Sequence, residues 1–297
     1  MEISIIGLGK MGNAIAYRLL KDGHIVYGYD IDPKTCQNLK KELPNITILN
    51  SLQEVSAKTN LIWLMLPVQV NQKVIDELSV SLNHNHILID GSNSYFEDSI
   101  SAAEKLKKLK VEFVDCGVSG GLQGKEIGFC LMVGGSEKIF KFLEPIFKSI
   151  ATTDGYSYIG VSGTGHYVKM IHNGIEYALL QSYAQGFHLL KEGKFKDLDL
   201  QRIASLWNHG SIIRSWILEL INQILKENPD FKNISGKIGE TGMGKWTVEQ
   251  AKKQNISVSM IEEALSIRQW SHQTGGNFAT KLVALLRNKF GGHIIPK

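Results

Sequence analysis

The stretch "EISIIGLGKMGNAIAYRLLKDG", residues 2–23, constrains this chain more than any other. An apolar run, a glycine turn and an amphipathic run follow one another, so a strand, a tight turn and a helix are predicted. Gly7, Gly9 and Gly12 stand as GxGxxG at the junction. The first glycine permits the turn, the second lets backbone approach a pyrophosphate, and the third lets helix and strand pack closely. The helix start offers unpaired N–H groups and a positive dipole end to that anion. Gly7, Leu8, Gly9, Lys10, Met11 and Gly12 are therefore the predicted dinucleotide turn.

A second strand, "HIVYGYD", ends in Asp30. A carboxylate there can accept hydrogen bonds from both hydroxyls of an adenosine ribose, whereas it repels a 2′-phosphate. No arginine follows in "DIDPKTCQ", and Lys34 is the one nearby cation. NAD is the expected cofactor, with NADP the second option.

Further apolar runs at "NLIWLML", "HILIDGSN", "EFVDCGVSGG" and "FCLMVGG" are separated in several places by helix-like stretches such as "NQKVIDELSVSL" and "SISAAEKLKKL". This alternation predicts a mostly parallel, doubly wound α/β sheet of Rossmann-like type, with ligands at the carboxyl ends of its strands. Two turns fall at such ends, "DGSNS" with Asn93 and "VSGG" with Ser119, Gly120 and Gly121. Taken singly, both are compatible with ordinary turn chemistry. The first domain is predicted to span residues 1–162.

After "GYSYIGVSGTG" the strand signals stop, and an all-α domain is predicted over residues 163–297. A long helix is expected from Gly165 to about Glu192. Others are expected in "LQRIASLWNHGSIIRSWILELINQIL", "TVEQAKKQNISVSMIEEALSIRQWSHQ" and "NFATKLVALLRNKFGG". At about 100° per residue, Lys169, His172, Asn173 and Glu176 share a stripe roughly 100° wide. Met170, Ile171, Ile175 and Leu179 point elsewhere, and they predict a largely buried helix. A buried lysine and carboxylate are costly unless paired or put to use.

Bulk properties exclude other classes. A net charge of +4 over 297 residues, without a dense basic run, gives no footprint for nucleic acid. The three cysteines form no CxxC pair and, with the histidines, no metal-like cluster, so no metal is expected. The longest apolar run, "LIWLMLPV", is too short to span a membrane. With no basic leader before the first strand, a cytoplasmic chain is expected.

Seven motifs, in order, carry a resemblance over essentially the whole length: "GLGKMG", "DGSNS", "VSGG", "GHYVKMIHNGIEY", "GSIIRS", "GETGMGKWT" and "RNKFGGH". The chain resembles the decarboxylating 6-phosphogluconate dehydrogenases, in their shorter, NAD-associated form. The resemblance implies oxidation of 6-phosphogluconate at carbon 3, loss of CO2 from the resulting β-keto acid, and protonation of the enediol to ribulose 5-phosphate. By the family pattern Lys169, neutral at that moment, takes the 3-hydroxyl proton. Its ammonium then steadies charge on the keto oxygen. Glu176 matches the acid that protonates carbon 1 of the enediol. The ketone itself is the electron sink.

The same resemblance implies that Asn93, Ser119, Gly120, Gly121, His172 and Asn173 hydrogen-bond the substrate, and that Asn93 also adjoins the cofactor. Tyr177 and Arg214 match phosphate contacts. Arg287 and His293 match residues supplied by the neighbouring subunit, which implies a homodimer, with a tetramer as a further assembly. One departure concerns a phosphate-binding lysine of the longer form, whose place here is taken by Thr241, with Lys245 further on. Two rivals stand against this reading. A 3-hydroxyisobutyrate-type dehydrogenase would share the glycine motif, "VSGG" and the helix lysine but needs no phosphate pocket. A non-catalytic NAD-binding sensor would need neither Lys169 nor Glu176.

Overall fold

The computed structural model describes residues 1–296, which form two compact units, one ending at Met170 and the other beginning at Ile171. The first unit opens with β1 (Glu2–Ile6), α1 (Lys10–Lys21), β2 (Ile25–Tyr29), α2 (Pro33–Glu42), β3 (Thr47–Ile48), α3 (Leu52–Lys58) and β4 (Leu61–Leu64). It continues through α4 (Val68–Ser79), β5 (Ile87–Asp90), α5 (Phe96–Lys108), β6 (Glu112–Ser119), α6 (Gly124–Ile127), β7 (Phe129–Gly134), α7 (Glu137–Ile150) and β8 (Ala151–Gly160).

These strands make one sheet in the order β3-β2-β1-β4-β5-β6-β7-β8. Only the β6–β7 pair is antiparallel. β1 lies between β2 and β4, so chain direction across the sheet reverses there, and the crevice beyond β1 is where such sheets hold ligands. Because β1, β4, β5 and β6 are mutually parallel, the glycine, "DGSNS" and "SGG" turns leave the same edge. Central strands are apolar on both faces: β4 and β5 are buried at every residue, as helices on both sides of a sheet require. One face packs Ile3, Ile5, Trp63, Ile89 and Val114 against α1 and α7, and the other packs Ile62, Leu64 and Leu88 against α4 and α5.

α8 (Thr164–Glu192) runs from the end of the first unit into the second. The second unit adds α9 (Leu200–Trp207), α10 (Trp216–Glu227), α11 (Met243–Lys253), α12 (Ser259–Thr274) and α13 (Phe278–Gly291). Its core joins Leu180, Ala184 and Phe187 of α8 to Leu218, Ile221 and Ile224 of α10 and to Leu282, Val283 and Leu286 of α13.

Two stretches that the apolar pattern runs together are split. "LQRIASLWNHGSIIRSWILELINQIL" breaks between α9 and α10, where Gly210 has φ +84° and the Ser215 hydroxyl accepts from Leu218 N to start a new helix. "TVEQAKKQNISVSMIEEALSIRQWSHQ" breaks at Asn255, which has φ +55°. The expectation of a largely buried α8 needs correction on one face. Ile175 and Leu179 are 51% and 45% exposed, because the helix's core contacts run along the side that carries Leu180, Ala184 and Phe187.

Candidate active site

The glycine turn has the form a pyrophosphate needs. Gly7 has φ +91°, and a Cβ on Gly12 would collide with the Gly7 carbonyl. A Cβ on Gly9 would meet nothing within 4 Å, so the turn is open on the side where an anion would lie. Gly9 is the N-cap of α1 and no side chain caps that end. Asp30 Oδ2 accepts from Leu8 N at 2.8 Å, and Oδ1 accepts from Asp32 N at 2.9 Å, so the acid ties the end of β2 to the turn. Leu8 is buried, Met11 packs on the sheet core and Lys10 is exposed. An open, uncapped helix start beside a carboxylate at the ribose position fits a dinucleotide.

The turn after β5 is held by a buried polar network. Asp90, 1% exposed, accepts from Asn71 Nδ2, Ser94 Oγ and Ser92 N at 2.8–2.9 Å. Asn93 follows with φ +55°. Its Oδ1 accepts from Val118 N at 2.9 Å and its Nδ2 donates to Val118 O at 3.2 Å. The carboxamide thereby links the β5 turn to the end of β6. Gly120 and Gly121 both have positive φ, which lets the chain turn sharply after Ser119.

On α8, Lys169 is 4% exposed. Its seat is set by Gly117 of β6, where a Cβ would collide with the Cβ of Lys169. Asp115, two residues earlier, is fully buried and accepts from Gly163 N at 2.6 Å and His166 N at 2.9 Å, so it caps α8 from a neighbouring strand. Further along, His172 Nδ1 and Asn173 Oδ1 lie 3.0 Å apart, and Asn173 Nδ2 lies against Met243 Sδ. Gly174 brings α11 close: a Cβ there would stand 2.7 Å from the Thr247 methyl. His172, Asn173 and Glu176 are all half-buried.

Tyr177 heads a second group within the helical unit. Its ring is 3% exposed and stacked by the Arg268 guanidinium at 3.2 Å from centroid to Cζ. Arg268 is 2% exposed; its Nη1 donates to Gly239 O at 3.3 Å, while its Nη2 and the Tyr177 hydroxyl are buried without a hydrogen-bond partner. Burial pulls the Arg268 pKa down to about 10, which still leaves a full charge at neutral pH. Arg287 is 5% exposed, and burial lowers its pKa also, opposed electrostatically by its neighbours Tyr177, Glu176 and Glu240. Two buried cations beside a phenol, with polar atoms unsatisfied, are suited to receive an anion.

Comparison with known proteins identifies the lineage. Residues 2–163 match the NAD binding domain of 6-phosphogluconate dehydrogenase, and residues 165–290 match the C-terminal domain of that enzyme. The chain belongs to the 6-phosphogluconate dehydrogenase family. A Haloferax volcanii relative, named an NAD(+)-dependent decarboxylating 6-phosphogluconate dehydrogenase, is 37% identical over 302 residues, covering 100% of this chain and 99% of that one. A solved Plasmodium falciparum 6-phosphogluconate dehydrogenase, determined in its apo form, with NADP+ and with 6-phosphogluconate, superposes with TM-score 0.83 at 27% identity. It covers 91% of this chain, which spans 62% of it. A Mycobacterium tuberculosis 3-hydroxyisobutyrate dehydrogenase shares the fold, with TM-score 0.75 at 19% identity over 96% of this chain and 99% of that one.

Arg214, expected at a phosphate, is exposed on the α9–α10 turn, and the buried arginines beside Tyr177 are Arg268 and Arg287. In the sequence Arg268 carries no signal of this place, because "SIRQW" has the pattern of an ordinary helix with a solvated cation. Arg287, expected to serve a neighbouring subunit, is seated in its own helical unit by α13, whose Leu282, Val283 and Leu286 are core residues. His293 follows α13, its ring edge-on to Phe290 and its N–H donating to Arg287 O at 3.4 Å. Thr241 and Lys245 are exposed, and Lys245 lies 3.8 Å from Glu249.

Proposed function

We propose that this chain catalyses the oxidative decarboxylation of 6-phosphogluconate to ribulose 5-phosphate and CO2, with NAD preferred over NADP. The observation that carries the reading is Lys169, an amine with 4% exposure, two helical turns before Glu176 on one helix face. NAD, when bound, supplies the hydride acceptor. Lys169, withdrawn almost wholly from solvent, takes the proton of the 3-hydroxyl as carbon 3 is oxidised. The resulting ammonium hydrogen-bonds the oxygen at carbon 3 and stabilises the charge that develops there as CO2 departs. Glu176, roughly 10 Å further along the helix axis at the backbone, delivers a proton to carbon 1 of the enediol that remains, which is carbon 2 of the sugar acid.

Asn93, Ser119, Gly120, Gly121, His172 and Asn173 hydrogen-bond the sugar acid. Tyr177, Arg268 and Arg287 hold its phosphate, supported by the two buried guanidiniums and the unsatisfied phenol and Nη2. Asp30 holds the adenosine ribose, and Gly7, Gly9 and Gly12 shape the pyrophosphate turn. The working assembly is a homodimer, supported by Ile175, Leu179 and Leu189, which stand exposed on one face of α8.

The test is stoichiometric. Purified protein with 6-phosphogluconate and NAD should form reduced cofactor and CO2 in equal amounts, with no turnover of 3-hydroxyisobutyrate. Reduced cofactor without CO2, or preference for the small acid, would overturn the assignment.

A further inference from the structure

Asp115 and Gly117 are alternate residues of β6, so both point to one face of the sheet. They meet successive turns of α8. Asp115 accepts from Gly163 N at 2.6 Å and His166 N at 2.9 Å, the N–H groups just before the helix and at its third residue. Those are the two amides that a capping box satisfies with two side chains. Here one carboxylate from a neighbouring strand satisfies both. Gly117 then lies against the Cβ of Lys169, and a side chain there would also press within 2.9 Å of the Gly165 carbonyl. Glycines make room for the carboxylate as well: a Cβ on Gly134 of β7 would stand 2.6 Å from Asp115 Oδ1 and 2.8 Å from Gly165 N. Strand and helix are thus keyed at two points, one electrostatic and one steric, and Lys169 is fixed by the second.

We infer that Asp115 is a positioning residue for the reaction, acting through the first turn of α8 to hold the Lys169 amine at the depth and azimuth where it meets the substrate hydroxyl. The inference rests on the assignment of Lys169 as base. Asp115 touches neither substrate nor cofactor in this account. Its negative charge at the positive end of a 29-residue helix also favours the docked position. A one-ångström displacement of a proton acceptor is enough to lose much of its advantage.

Asp115→Asn keeps the volume but can accept from only one of the two amides and presents an N–H₂ to the other. It should lower kcat on the order of 10- to 100-fold while the KM for NAD stays within about twofold. The discriminating background is Lys169→Ala, assayed on its residual rate and with methylamine added as a mobile amine. There Asp115→Asn should cost little more, because no tethered amine remains to be misplaced. An equal fall in both backgrounds would show a general structural role and overturn the inference. If Asp115→Asn does not fold, Gly117→Ala leaves the cap intact and pushes on the lysine stem. It should show the same pattern, and wild-type kcat in that variant would equally overturn the inference. Full activity of Lys169→Ala without added amine would instead remove the base assignment itself.

Discussion

The Arg268 guanidinium lies 3.2 Å from the centroid of the Tyr177 ring, with both groups almost wholly buried. A stacked guanidinium keeps its edge available, and the unsatisfied Nη2 is part of that edge. Arg268→Lys would retain charge but lose both the planar stack and the forked donors. Loss of one charge-assisted hydrogen bond, about 1.5–3 kcal/mol, corresponds to a rise in the KM for 6-phosphogluconate of roughly 10- to 100-fold. The KM for NAD should move little. Equal rises in both constants, measured by steady-state kinetics, would count against an anion role.

Arg287 is seated within the helical unit of its own chain, beside its own Tyr177 and near the carboxylates of Glu176 and Glu240. Inactive Arg287→Ala and Lys169→Ala variants, unfolded together and refolded as mixed dimers, should therefore not restore activity. If the arginine instead reached across from a partner, mixed dimers would regain an intact site and measurable turnover.

Asp30 accepts from Leu8 N and so holds the glycine turn; in the proposed function it also repels a 2′-phosphate. Asp30→Ser should shift the ratio of kcat/KM for NAD over NADP toward NADP. Removing one carboxylate–phosphate repulsion and one ribose hydrogen bond accounts for a shift on the order of tenfold to a hundredfold. An unchanged ratio would mean that Asp30 only holds the turn.

Cys116 is fully buried and Cys36 nearly so, and burial raises both thiols above their ordinary range; Cys130 is exposed on β7. Native protein should therefore present one fast-reacting thiol to an aromatic disulfide reagent, with all three cysteines reacting after denaturation. Cys130→Ser should abolish the fast phase.

What sequence revealed follows from how local each signal is. Gly7, Gly9, Gly12 and Asp30 lie within one βαβ segment, and spacing alone identifies them. The helical stripe of Lys169, His172, Asn173 and Glu176 is likewise a matter of periodicity. The partners that fix the stripe are different: Gly117 and Asp115 act from a strand some fifty residues earlier in the chain, and a glycine inside "DCGVSGG" carries no sign that a lysine stem will press on it. Arg268 was hidden for the same reason, because its value arises only when α12 packs it on Tyr177. The breaks at Gly210 and Asn255 depend on positive φ values that neither residue type guarantees.

The most direct measurement is the turnover of Lys169→Ala with 6-phosphogluconate and NAD, paired with the NAD dissociation constant of the same variant. Loss of a buried general base predicts a fall in kcat of about 10²–10⁴-fold with NAD affinity unchanged. Turnover near that of the parent protein, with NAD binding intact, would contradict the account.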